Sequence, residues 1–171
     1  MKEAEEHYNL AKELIRYGRT DHAIKELKEA IGIDPKYECA YKLLRKTLVS
    51  QGKIEDLIKY LYEIVRIDPE NIIAHFFLAD AYEQKGQSDE AIKEFKEVIR
   101  MNPEFPYAYC GLALSLNEKG MYKEAINALK TYFKMSQPHK TATVEMLKNH
   151  MNFLELLNGY TTQIDDSDTS S

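Results

Sequence analysis

The sequence has no run of about 18 consecutive apolar residues, the length a helix needs to cross a bilayer, so no membrane insertion is expected. Its opening residues, MKEAEEHYNL, carry acids where a secretory leader needs an apolar core, and the expected location is cytoplasmic. Cysteine is scarce. Cys39 and Cys110 form no Cys-x-x-Cys pair, and both read as reduced side chains acting as small apolar residues. Positive charge is in deficit: 23 Lys and Arg against 28 Asp and Glu leave a net charge of −5. The basic residues are interspersed with acids at helical spacing, which makes a solvated surface rather than a phosphate-binding stripe, so nucleic acid is not an expected partner.

Signatures of catalysis are missing too. There is no glycine-rich phosphate loop, no Gly-x-Ser-x-Gly elbow and no His-Glu-x-x-His. The five histidines, His7, His22, His75, His139 and His150, never stand three or four residues apart, the spacing that would set two of them on one helical face for a metal. Adjacent acids such as Glu5 and Glu6 have nothing nearby to desolvate them. The expectation is a protein that is not an enzyme and carries no cofactor or metal.

What the sequence does have is a period. Pro35, Pro69 and Pro103 are 34 residues apart, and Gly18, Gly52, Gly86 and Gly120 keep the same interval. With proline at position 32 and glycine at position 15, repeats begin at Ala4, Glu38, Ile72 and Pro106. The stretch from Ile72 to Phe105 is the clearest copy. Leu78, Ala79 and Tyr82 recur at helical spacing on its first half, Ala91, Phe95 and Val98 on its second, with a turn at Gly86 between. Position 7 is Leu10, Leu44, Leu78 and Leu112. Position 8 is Ala11, Arg45, Ala79 and Ala113, and position 20 is Ala23, Leu57, Ala91 and Ala125. Small residues at 8 and 20 let two helices approach closely, and large ones at 7, 11 and 24 fill the surrounding space. Glycine supplies a left-handed backbone to end the first helix, and proline stops the second.

This pattern resembles the tetratricopeptide repeat family from residue 4 to about 137. The resemblance implies an all-α, right-handed superhelical solenoid of four helix pairs, about 4–37, 38–71, 72–105 and 106–138. Helices are expected near 3–17, 21–33, 37–50 and 54–67, with Asn71 capping the next and Ser88 opening the one after. Position 4, often tryptophan in the family, holds His7, Tyr41, His75 and Tyr109, where packing is the expected role. Repeat two departs from the pattern, with Arg45 and Leu57 at the close-contact positions. Its helices are expected to be splayed or shifted, and the Arg45 stem to extend toward solvent.

Positions 3 and 10 of the first helix face the preceding repeat in such a stack. They are Ala40 and Thr47, Ala74 and Ala81, and Ala108 and Ser115 in repeats two to four, but Glu6 and Glu13 in repeat one. Charge there is costly against a neighbour and harmless against water, so the array is expected to begin at this repeat. At the other end, residues 139–159 are expected to supply a capping helix, with Val144, Leu147, Met151, Phe153 and Leu154 on a wide apolar face. A dimerisation surface is the alternative reading. Residues 160–171, with Asp165, Asp166 and Asp168 and no basic residue, are expected to form a disordered acidic tail.

The family lines its concave face with positions 2, 5, 9, 12 and 13 of each first helix. Tyr8, Lys12, Arg16, Lys42 and Lys46 would then make one half of the groove basic, while Ile73, Phe76, Tyr107 and Leu114 make the other apolar, with Asp80 among them. Such a surface suits a protein or peptide with an acidic patch and large apolar anchors. A subclass of the family grips a peptide C-terminus with lysines, asparagines and an arginine; the matching positions here are Tyr8, Lys12, Leu43, Ile73 and Phe77, which argues against that mode. The resemblance therefore implies a non-catalytic scaffold or adaptor, monomeric or weakly homo-oligomeric. A self-assembling homo-oligomer and a dedicated chaperone for a secreted or assembled client are the alternatives.

Overall fold

Segments of 13 to 15 residues with apolar side chains at helical spacing, punctuated every half repeat by glycine or proline, leave the chain little choice but short antiparallel helices. The computed structural model describes residues 2–136, 149 and 151–156. Residues 2–136 form eight helices in order: α1 Lys2–Arg16, α2 Thr20–Ile33, α3 Glu38–Ser50, α4 Ile54–Ile67, α5 Ile72–Gln84, α6 Ser88–Met101, α7 Pro106–Glu118 and α8 Tyr122–Ser136. No strand occurs among the described residues. The expected boundaries agree to within a residue or two. Gly18, Gly52, Gly86 and Gly120 all take φ near +70°, a conformation that L side chains rarely adopt. Asn71 caps α5 as expected, its Oδ1 accepting from the Ala74 N–H at 2.9 Å.

The described residues fall into two compact units, divided between Gly86 and Gln87. In the first, α1 packs on α2, α2 on α3, α3 on α4 and α4 on α5. Small residues let this happen: Ala40, Thr47, Ala74 and Ala81 are all buried, whereas Glu6 and Glu13 on α1 face solvent. Leu27, Leu44, Leu57, Leu61 and Leu78 fill the core, and the Tyr41 and Phe77 rings stack 5.5 Å apart, nearly parallel. Leu10 does not share this core. At 48% exposed it breaks the position-7 pattern, because no helix covers that side of α1 among the described residues.

In the second unit α6 packs on α7 and α7 on α8. Gly111 sits where the buried Phe95 ring crosses α7: a Cβ built on it would lie 2.2 Å from Phe95 Cζ. Asn149 and residues 151–156 are helical, Leu154 is buried, and Glu155 pairs with Lys130 at 2.9 Å. Phe153, assigned to the apolar face of the capping helix, is exposed. The rest of that helix and the tail lie outside the described residues.

Position 4 does more than pack. Tyr41 Oη donates to the Pro35 carbonyl at 3.1 Å, Tyr109 Oη to that of Pro103 at 3.0 Å, and His75 Nε2 lies 3.0 Å from that of Pro69. One polar tip thus recurs at each inter-repeat proline, satisfying a carbonyl that the helix has left without a donor. His7 has no preceding proline and instead bonds Glu26 at 2.6 Å. Burial pushes the Tyr41 hydroxyl up to about 12.

Repeat two keeps its α-hairpin, with fewer close backbone approaches between α3 and α4 than between α1 and α2 or α7 and α8. That agrees with the widening expected from Leu57, which is buried between them. Arg45 does not behave as expected. Its stem leads not to open solvent but to Asp80 on α5, with Nη1 3.2 Å from Oδ2.

Two substitutions of one kind should have opposite signs. Gly32→Ala on α2 adds a Cβ with nothing within 4 Å and should stabilise by about 0.5–1 kcal/mol through helix propensity. Gly111→Ala should destabilise by about 1–3 kcal/mol, because the Phe95 ring cannot yield within its packed site. Urea unfolding of both variants checks this, and a gain at Gly111 would contradict the packing. By the same measurement Tyr41→Phe should cost about 1 kcal/mol, the worth of one buried hydrogen bond.

Candidate protein-interaction surface

In the first unit, positions 5 and 9 of the first helices carry basic and aromatic side chains, apart from Asp80, whereas position 8 is buried in α1 and α5 as Ala11 and Ala79. On α1, Tyr8 is half-buried against the core with its ring edge-on to Tyr37 at 5.3 Å, and Lys12 Nζ stands 5.5 Å from the Tyr8 ring centroid. Tyr37 was not among the expected groove residues. It lies in the inter-repeat loop, where the helical period gives no signal. Arg16 is exposed and held by Glu13 one turn back at 2.9 Å.

On α3, Lys42 and Lys46 are both exposed. Lys42 pairs with Glu38 at 2.6 Å, an i,i+4 contact worth a few tenths of a kcal/mol at such exposure. Lys46, like Lys12, has no carboxylate within ion-pair distance among the described residues. Arg45 falls between the two lysines on the helix surface, so 42, 45, 46 and 49 form one stripe of three cations and Val49. Position 8 belongs to the interior of a repeat, so the period gives no reason to expect Arg45 on this face; the side chain is long enough to leave the interior.

On α5, Ile73 and Phe76 are half-buried, packed on the core with part of each left to solvent. Phe76 also meets Phe77 edge-on at 5.4 Å. Asp80 is no simple solvated acid. Besides Arg45 it accepts a hydrogen bond from Gln84 at 2.6 Å, yet burial pushes its carboxyl above the usual range, outweighing the opposing pull of both partners. Within the guanidinium, Arg45 Nε is buried without an acceptor among the described residues. The structure therefore joins Arg45 to Asp80 across α3 and α5, a link that neither residue's position announced.

In the second unit, Tyr107 is 63% exposed on α7, with its ring 6.4 Å from Phe105 and 6.5 Å from Tyr132, and Leu114 is half-buried. Cys110 is half-buried, whereas Cys39 is exposed. On the second-helix side of the first unit, α2 and α4 flank a shallow groove of about 530 Å³ in which Lys25, Lys28, Lys53 and Lys59 are accompanied by Asp21, Asp56 and Glu63 around Tyr60. Among the described residues, no cluster of His, Cys, Asp or Glu is placed to hold a metal ion, and no helix is long and apolar enough to cross a membrane.

Comparison with known proteins agrees with this architecture. Family models described as tetratricopeptide repeat match residues 3–37, 106–139 and 46–97, and one described as TPR repeat matches 79–120. No curated protein matches the sequence. Among solved structures, a double mutant of MamA RS-1 is 15% identical with a TM-score of 0.69, covering 99% of this chain and 92% of that one. A thermophilic TPR protein from Thermus thermophilus is 19% identical with a TM-score of 0.63, over 91% and 83% of the two chains. Another MamA structure is 24% identical with a TM-score of 0.60, over 78% of each. At these identities the likeness concerns the fold. The period, the helix pairs and the matched repeat models lead to one conclusion: the chain belongs to the tetratricopeptide repeat family, all-α solenoids that act as protein-interaction scaffolds.

Proposed function

We propose that the chain is a non-catalytic scaffold that holds an acidic segment of a partner protein, carrying apolar anchors, against the first-helix face. One observation carries the reading: Lys12 and Lys46 stand exposed with no carboxylate partner among the described residues, beside the half-buried side chains of Tyr8, Ile73 and Phe76. Exposed cations steer an acidic partner and set its register, and partly desolvated rings supply the contact area that gives affinity. Lys42 and Arg16 add charge to the same face, each already balanced by a local acid. On α7, Tyr107 and Leu114 offer apolar contacts of their own. The proposed partner is thus a protein or peptide; no role is assigned to a cofactor.

Panning a random peptide library against the full chain should enrich sequences combining Asp or Glu with Phe, Leu or Tyr. The double substitution Lys42→Glu with Lys46→Glu should weaken the selected peptides about tenfold or more, equivalent to about 1.4 kcal/mol. Stability should change by no more than about 0.5 kcal/mol, most of it from like charges at 38 and 42. Affinity unchanged in the double variant, or enrichment of basic peptides, would reject this face as the binding surface.

A further inference from the structure

We propose that Arg45 is the anion receptor of the first-helix face, held on Asp80 while the face is empty and transferred to an acidic group of the partner when it is filled. This rests on the preceding reading of that face and adds the residue that recognises the acid. A tetratricopeptide stack wants a small residue at position 8, as Ala11, Ala79 and Ala113 show, and a guanidinium there needs a compensating role. Arg45 is not simply displaced to bulk water. Its side chain is about one-third exposed, lies in the stripe with Lys42 and Lys46, and reaches the neighbouring repeat.

The pair it makes is incomplete. A guanidinium offers a planar fork that matches two oxygens of one carboxylate or phosphate. Here Nη1 meets Asp80 Oδ2 at 3.2 Å, while Nε–H is buried and has no acceptor among the described residues. A pair serving stability alone would be expected to close the fork, because a buried donor left unsatisfied is costly. Swinging outward to a partner's two oxygens would satisfy Nε as well as Nη. Asp80 would not be stranded, since Gln84 Nε2 already donates to it at 2.6 Å. Burial also favours its neutral form, so losing Arg45 is tolerable. The receptor is thus preset by an internal carboxylate that occupies the place of the ligand and leaves when the ligand arrives.

The fork would accept either an Asp or Glu side chain or a phosphorylated Ser or Thr. Fluorescence anisotropy on the full chain can separate these with two labelled peptides sharing one Phe- and Leu-containing frame, one bearing four glutamates and the other two phosphoserines. Arg45→Lys keeps the charge and removes the fork; it should weaken at least one peptide about fivefold or more, and the larger loss identifies the anion. Asp80→Asn removes the internal competitor and should tighten the same peptide about threefold or more. Lys25→Glu with Lys28→Glu, on the second-helix side, should leave both unchanged within about twofold. Arg45→Lys binding like the wild type, or a loss there without a gain from Asp80→Asn, overturns the exchange even while Lys42→Glu with Lys46→Glu still weakens binding. If the wild type binds neither peptide, or that lysine pair has no effect, the face itself is wrong and the receptor falls with it. Far-ultraviolet circular dichroism on each variant confirms that the helices are retained.

Discussion

How closely the first helix of a repeat can lie on the second helix of the repeat before it governs this structure. A helix pair of 34 residues has too little interior to bury its own apolar stripe, so each pair must borrow a wall from its neighbour. That contact tolerates little bulk. Ala40 and Thr47 on α3, Ala74 and Ala81 on α5, and Ala108 and Ser115 on α7 are the side chains turned toward it, all buried. Gly111 takes the requirement to its limit, leaving the ring of Phe95 the volume a methyl group would occupy. On the side of α1 that no described helix covers, the same two positions are glutamates, and Leu10 is exposed.

Polar contacts then fix the register of what apolar packing brings together. The inter-repeat loops are held by a Tyr or His tip on each proline carbonyl. Along the opposite edge, an acid at the start of each second helix meets a lysine in the next repeat's turn: Asp21 with Lys53 at 3.1 Å, Glu55 with Lys85 at 3.3 Å and Asp89 with Lys119 at 2.9 Å. Each acid also sits at the positive end of its helix, which holds the Glu55 carboxyl below its usual range through backbone hydrogen bonding first and Lys85 second. Such exposed pairs add little energy singly. Their regular recurrence disfavours a slip of one helix along another, because a slip would break every rung at once.

Repeat two is where these demands conflict with something else. Alanine at position 8 would pack better, and the chain instead keeps an arginine whose burial is only partly compensated. Asp80 shows the strain from the other side, with a carboxyl that burial raises although a guanidinium stands beside it. A stretch tuned only for stability would resolve this with apolar residues of similar volume. Local rules broken without structural gain are expected at functional or strained sites.

The proline and glycine interval, the alternation of small and large positions and the helical apolar spacing were enough to place α1 to α4 within a residue or two and to mark where α5 and α6 begin, because those features act locally or between adjacent repeats. The same arithmetic identified Lys12, Lys42, Lys46 and Tyr107 as exposed. It could not show that Tyr41, His75 and Tyr109 hydrogen-bond to prolines, since that depends on where a loop carbonyl turns after its helix ends. Nor could it find Tyr37 edge-on to Tyr8. Above all it sent Arg45 to solvent and treated Asp80 as an independent charge. One lies on α3 and the other on α5, and a residue count assigns each to a helix face without saying how far a long side chain reaches. Local backbone preference and the burial of apolar stripes make the repeat, its period and its helices legible in the residues alone. Which charges meet emerges only once the helices are packed, because an ion pair between helices depends on their separation and on the rotamer that bridges it.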